Sequence, residues 1–223
     1  MNLDTVSIRQ GQAGCPFRSL CYAVHLSSYG AHVPEGTGPV TGLHSSEEKL
    51  NAINDLNVLH LRAAYFMENN LTAIDMIHGM GLFGHALLPD LKLPMIATRD
   101  VGDYAGQRLL DLDFSGKQTR ELLGERDLSM AEATAVIARG IGKPDLRHEQ
   151  FPYDQVQQAL TQMGFSPRKA AVYIEMPSMR ESSLRRSRVR RRTARRLRSK
   201  NLCRMSLRPR ITERLQPLRP APE

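Results

Sequence analysis

The chain has no tryptophan, and Phe and Tyr bring its aromatic share to only 5%. Large aromatic anchors are few, so a core has to come mostly from aliphatic side chains and methionine. Cysteine is scarce too. Cys15, Cys21 and Cys203 are an odd number, with neither CxxC spacing nor a paired histidine cluster. That argues against a zinc site or a disulfide framework and for plain thiols. No apolar run approaches the ~18 residues of a membrane-spanning helix, because the richest stretch, Leu56 to Tyr65, is cut by His60 and Arg62. The N-terminus MNLDTVSIRQGQAGC lacks a basic start followed by an apolar core, which argues against secretion and predicts a cytoplasmic chain. What is present is ordinary globular composition, 41% hydrophobic and 24% charged over 223 residues. That length suits one domain, or one and part of a second.

The net charge of +8 hides a split between body and tail. Residues 182–223 hold 15 Arg and Lys against Glu213 and Glu223, a local balance of +13 that leaves −5 on the first 181 residues. A phosphate-binding field can therefore come only from the tail. Its stretch RRSRVRRRTARRLRSK has apolar residues at no helical period, and residues 182–223 contain no aromatic. This composition predicts a disordered segment that binds nucleic acid or another polyanion weakly and through phosphates alone. The lack of stacking platforms or of a domain that reads base edges argues against sequence-specific recognition.

Residues 23–177 alternate strand and helix signals. Ala23 to Leu26 reads as a strand, and AHVPEGTGPVTG as a long loop after it. Ser45 with Glu48 three residues on forms a capping box, predicting a helix that turns Leu50 and Ile53 inward. Asn57 to Arg62 is the next strand, and a strand, helix, strand order of this length suits a parallel crossover in an α/β fold. MIHGMGLFGHALLPDLKLP has no clean period and reads as a mobile loop with one helical turn. Pro94 to Thr98 looks like a strand, Asp100 caps a helix carrying Val101, Tyr104, Leu109 and Leu110, and Thr119 to Leu123 is another strand. A second capping box, Ser129 with Glu132, opens a helix with Met130, Ala133, Val136 and Ile137 inward. Val156, Leu160 and Met163 mark a further helical face, and Ser166-Pro167 starts the last helix.

Five segments carry a family resemblance: LSSYGAHVPEGTGPVTGLHSSEEKLNAI, LNVLHLRAAYFMENNL, MIATRDVGDYAGQRLL, FSGKQTRELLGERDLSMAEATAVIARGIGKPDL and MGFSPRKAAVYIEM. Together they resemble, over about residues 24–176, the NmrA-like family of atypical short-chain dehydrogenase/reductases, which bind NAD(P) on a Rossmann-type fold. The resemblance implies a partial Rossmann-type parallel sheet lacking its first strands, with a mostly helical C-terminal lobe. It divides the chain into an unmatched segment 1–22, a remnant of the NAD(P)-binding domain at 23–93, a substrate-side lobe at 94–177 and the Arg-rich tail at 178–223. In complete form such a protein would act as a reductase or a redox-sensing regulator with a dinucleotide partner. The residues implied near the cofactor are Ser27, Ser28 and Tyr29 after the first strand, and Tyr65, Phe66, Glu68 and Asn69 after the second.

The departures from the family are as informative. No GxxGxxG occurs, and the clusters Gly36-Thr-Gly38 and Gly79-Met-Gly81 neither follow a strand nor open a helix. Such glycines let the backbone approach a pyrophosphate at a helix N-terminus, so their absence predicts that cofactor binding is lost in this chain. Ser28 stands where the wider superfamily has its active-site serine, but the tyrosine position holds His44 and the lysine position Glu48, with Lys49 one place off. The acid–base dyad is missing, and Glu48 is better explained as a capping carboxylate. Arg99 and Asp100 could meet a ligand, although Asp100 as a helix cap is the simpler reading. The unmatched ends predict a truncated or frame-shifted product. A sheet keeping only its late strands predicts an unpaired edge along Val58–Leu61 or Val24–Leu26, an open apolar patch and self-association.

Overall fold

The computed structural model describes Val6–Arg9, residues 20–184 and Arg195–Arg196, with side chains placed for residues 20–175. In chain order, β1 (Val6–Arg9) is followed by β2 (Tyr22–Ser28), α1 (Val40–Asn51), β3 (Asn57–Ala63) and the short β4 (Tyr65–Phe66). A 3-10 helix at Met67–Ala73 leads into α2 (Ile74–Met80), β5 (Leu82–His85) and β6 (Leu93–Ile96). Then come α3 (Thr98–Asp111), β7 (Lys117–Leu123), β8 (Asp127–Leu128), α4 (Met130–Ile141), β9 (Arg147–Gln150), α5 (Tyr153–Gln162), α6 (Pro167–Leu184) and β10 (Arg195–Arg196).

The main sheet has the order β1-β2-β3-β7-β10. β2, β3, β7 and β10 run parallel, while β1 is antiparallel to β2. The expectation of a bare edge is overturned here. Val58–Leu61 lies in the middle of the sheet with β2 on one side and β7 on the other, and Val24 and His25 pair with Ser7 and Val6. The physical reason is that a strand edge offers unsatisfied amides and carbonyls, and the short strand VSIR meets those of β2. Cys21 is disulfide-bonded rather than a plain thiol, and its partner lies outside the described residues.

The two faces of β2 and β3 differ in chemistry. On one face Val24, Leu59, Leu61 and Leu122 pack with Val101 of α3 and Phe114. On the other, Ala23, Val58 and Leu56 form a small apolar cluster beneath α1, and His25, Ser27, His60 and Glu47 are buried above it. α1 starts earlier than the Ser45 signal predicts, because Pro39 is already in helical conformation with φ −59° at its N-cap. Ser45 and Glu48 are thus mid-helix and make no capping box. Ile53, expected inward, lies beyond the helix and is 48% exposed.

A second core joins Tyr65, Ile77, Phe83, Leu93, Met130 and Ile137. Two small sheets support it, β4-β6-β8 and β5-β9. The MIHGMGLFGH segment, read as a loop, is in fact α2 followed by β5, with Gly81 at φ +67° ending the helix. Its pattern is irregular because Ile77 and Phe83 anchor it singly rather than through a face. α3 and β7 belong with the main sheet, although in sequence they follow residue 94. At the crossing between the two cores a Cβ on Gly124 would lie 1.7 Å from the Met95 carbonyl oxygen, so only glycine lets the chain pass there. The Ser129 and Glu132 capping box is present in full, and Ser166 accepts from the amides of Lys169 and Ala170 at 3.3 and 2.9 Å. Of the tail, the described residues are those of α6 up to Leu184 and the Arg195–Arg196 pairing with Leu122–Leu123; the predicted disorder concerns residues that otherwise lie outside the description.

Candidate functional site

β2 and β3 end side by side. Ser27 is in register with Arg62 and Ser28 with Ala63, and the Tyr29 amide donates to the Ala63 carbonyl at 2.8 Å. The Ser-Ser-Tyr and Arg-Ala-Ala-Tyr-Phe segments therefore meet at the carboxyl end of the parallel strands, where ligands of open α/β sheets collect. α1 lies over this end. The buried Glu47 carboxylate accepts from the Ser27 hydroxyl at 2.5 Å and from Arg62 Nε and Nη2 at 3.0 and 2.5 Å. Burial by itself would raise the Glu47 pKa; the hydrogen bonds from Arg62 and Ser27 and the Arg62 charge outweigh it and hold the carboxyl below its usual range.

One rung below, His25 Nδ1 and His60 Nδ1 are 3.0 Å apart, and His60 Nε2 lies 2.9 Å from Asn51 Oδ1. An amide oxygen can only accept, so His60 carries its proton on Nε2, and His25 donates to the bare His60 Nδ1. Burial pushes the His60 pKa down to about 4; Glu47 opposes the shift, while His25, Arg62 and Lys117 add to it. Lys117 Nζ reaches in from β7 and donates to the carbonyls of Ile53 and Leu56 at 2.7 and 2.6 Å.

The other sequence-predicted residues divide into buried and open groups. The Ser28 hydroxyl donates to the Tyr29 carbonyl at 3.3 Å. His44 Nδ1 donates to the Ala31 carbonyl at 2.8 Å, and its Nε2 stands 3.5 Å from the exposed Glu48. No hydrogen bond joins Ser28 to His44 among the described residues. Tyr65 is buried, and its hydroxyl donates to Asn70 Oδ1 at 3.2 Å. Phe66 is half-buried against the main-sheet core, and the exposed Asn69 has its carbonyl bonded to Thr72. Glu68 accepts from the Thr98 amide through both oxygens, at 3.1 and 3.0 Å. It therefore caps α3 from a distance. Asp100, expected as that cap, lies inside the first turn, because the helix already begins at Thr98. Arg99 is exposed and lies 4.0 Å from Asp103.

Sequence reasoning missed the His25, Asn51, His60, Glu47 and Arg62 group. The available signal was the recurrence of a histidine at the centre of two apolar strands, YAVHLSS and NVLHLRA. A shallow pocket of about 140 Å³ lies elsewhere, on the α3 face, lined by Tyr104, Arg108, Phe114, Gln118 and Arg120. It does not touch the carboxyl ends of the strands. Among the described residues no cluster of His, Cys, Asp and Glu fits a metal ion, and no helix is long and apolar enough to cross a membrane.

No protein-family model and no curated protein sequence matches the chain. Solved structures do. The NADPH-dependent quinone oxidoreductase QOR2 of Escherichia coli matches with a TM-score of 0.60 at 18% identity, over 74% of this chain and 58% of that one. A nucleoside-diphosphate-sugar epimerase of Staphylococcus aureus matches with 0.57 at 14% identity, over 74% and 55%. The triphenylmethane reductase of Citrobacter sp. matches with 0.54 at 12% identity, over 87% and 65%. The fold is the Rossmann-type α/β fold that these reductases and the epimerase share. At these identities the likeness is one of fold, and the chain spans little more than half the length of the oxidoreductase and the epimerase.

A dinucleotide on a Rossmann-type fold has its pyrophosphate at open amides of a helix N-terminus. Three helices here have N-terminal amides already engaged. At α1 the amides of Val40, Thr41 and Gly42 bond to Thr37, Gly38 and Pro39. At α3 the Thr98 amide is taken by Glu68, and at α4 the Glu132 amide by Ser129. The described residues place the Ser-Ser-Tyr and Tyr-Phe segments together.

Proposed function

We propose that this chain is an NmrA-like protein whose complete form binds NAD(P) and works as a cytoplasmic reductase or redox-sensing regulator, and that these 223 residues do not retain the dinucleotide by themselves. The observation that carries the reading is the junction of the Ser27-Ser28-Tyr29 and Tyr65-Phe66 segments at the carboxyl end of adjacent parallel strands. In this reading Ser28, Tyr29, Phe66 and Asn69 form the surface toward the cofactor. Ser27, Tyr65 and Glu68 shape that surface from behind, because their polar groups are bonded to Glu47, Asn70 and the α3 N-terminus.

Titration calorimetry with NADPH tests the second half of the proposal. No saturable isotherm is expected below millimolar concentration, and a micromolar isotherm would overturn it. The coding DNA around this reading frame tests the first half: it should encode a glycine-rich strand, turn and helix, and flanks without one count against the NAD(P) reading. A different class of function, weak polyanion binding, is supported by the +13 balance of residues 182–223.

A further inference from the structure

α1 and α3 cover opposite faces of the same strands by different physics. α3 is held by apolar contact, with Val101 buried and Tyr104, Ala105 and Leu109 packed against the Leu59 and Leu61 cluster. α1 buries only Val40 and Glu47. Beyond Val40 and the packing of Leu50 on Ala23, Leu56 and Val58, what ties it down is polar: Glu47 to Ser27 and Arg62, Asn51 to His60 and through it His25, and Lys117 on the carbonyls at its C-terminal end. We propose that α1 is an acid-releasable cover, undocked from β2 and β3 when its histidine and carboxylate rungs take up protons, while α3 stays in place on the other face.

The groups that meet at this interface come from every element around it. β2 supplies His25, β3 supplies His60 and Arg62, β7 supplies Lys117, and α1 supplies Glu47, with the His44 and Glu48 pair further out. The docked His25 and His60 share one proton between their buried Nδ1 atoms, so a charge added to the pair is held away from water. Arg62 and Lys117 repel added charge; Glu47 alone favours it. His60 holds a pKa of about 4 docked against 6.5 when released. Its neutral form therefore supports docking fully above pH 6.5, and that support is lost as the pH falls toward 4. Glu47, lowered from 4.5, contributes above its ordinary value and loses that contribution as the pH falls through the docked one. Both changes act in the same direction, and between pH 7.5 and 4.5 the docking equilibrium should weaken on the order of a hundredfold. Release uncovers Ser27 and Arg62 at the carboxyl end of the sheet. The inference holds whether or not the chain ever meets a dinucleotide.

Hydrogen exchange of the full chain at pH 7.5 and 4.5, corrected for intrinsic exchange, reads this directly. Protection over residues 43–51 should drop about a hundredfold relative to residues 101–110. In His60→Gln, whose side chain cannot take the proton, the relative drop should shrink to a few-fold. Parallel loss in both helices, or an α1 still protected at pH 4.5, overturns the proposal. Should the variant fail to fold, the wild-type His60 ring can be titrated by NMR. A ring that stays neutral until α1 amides shift with it supports release, whereas one that protonates near pH 6.5 with α1 protection unchanged overturns it.

Discussion

Glu47 sits where a helix covering a sheet usually presents an aliphatic side chain, and it satisfies three donors there. Its side chain is 6% exposed and that of Arg62 17%, so removing one partner leaves the other charged and poorly solvated. Glu47→Ala should cost about 3 kcal/mol in urea unfolding. The double replacement E47L/R62M should recover most of that, since an apolar pair of similar volume removes both desolvation penalties; a double variant as unstable as the single would show that the loss comes from packing. Neither residue stood out in the sequence as part of a pair, because 15 positions separate them and only the crossover brings them together.

At the scale of elements, the signals that proved reliable were those completed within one turn. Ser129 and Glu132 exchange both capping bonds, at 3.1 and 2.8 Å, so Ser129→Ala should lower stability by about 1 kcal/mol, read as a shifted urea midpoint. The Ser45 and Glu48 spacing is the same motif, yet it lies inside a helix already begun at Pro39. A capping box stabilises a start but cannot prevent an earlier one. α3 carries Gly102 where an added Cβ would meet nothing within 4 Å. Gly102→Ala should therefore raise stability by roughly 0.5–1 kcal/mol, and an unchanged midpoint would count against α3 being a regular helix at that position. Glu68 shows the limit of local reading: it caps α3 from 30 positions away, a role that Asp100 was expected to fill.

For the whole molecule, the charge split governs contact with polyanions. Deleting residues 182–223 turns the formal charge from +8 to −5, so retention on a DNA column at low salt should vanish. Equal retention of the shortened chain would place the contact on the body instead. The two cores interleave along the chain, because the sheet core draws on residues from Val24 to Leu123 and the second core on Tyr65 to Leu146. Sequence order alone invites a division near residue 94. The parallel pairing of β7 with β3 instead returns the chain to the first layer before α4 leaves it again.

The sequence by itself determined the α/β class, the central strands of the main sheet and the Ser129 and Ser166 helix starts. Each follows from apolar period or capping chemistry over a few residues, or from a resemblance carried by contiguous segments. Only the tertiary structure decided that β1 closes the edge of β2, that Cys21 is bonded, that Glu68 serves α3 and that His25, His60, Glu47 and Arg62 form one buried group. The first three depend on segments far apart in sequence meeting in space, and the last on the parallel register that sets His25 opposite His60 and Ser27 opposite Arg62. Register is fixed by burial of the whole sheet rather than by any stretch of its sequence.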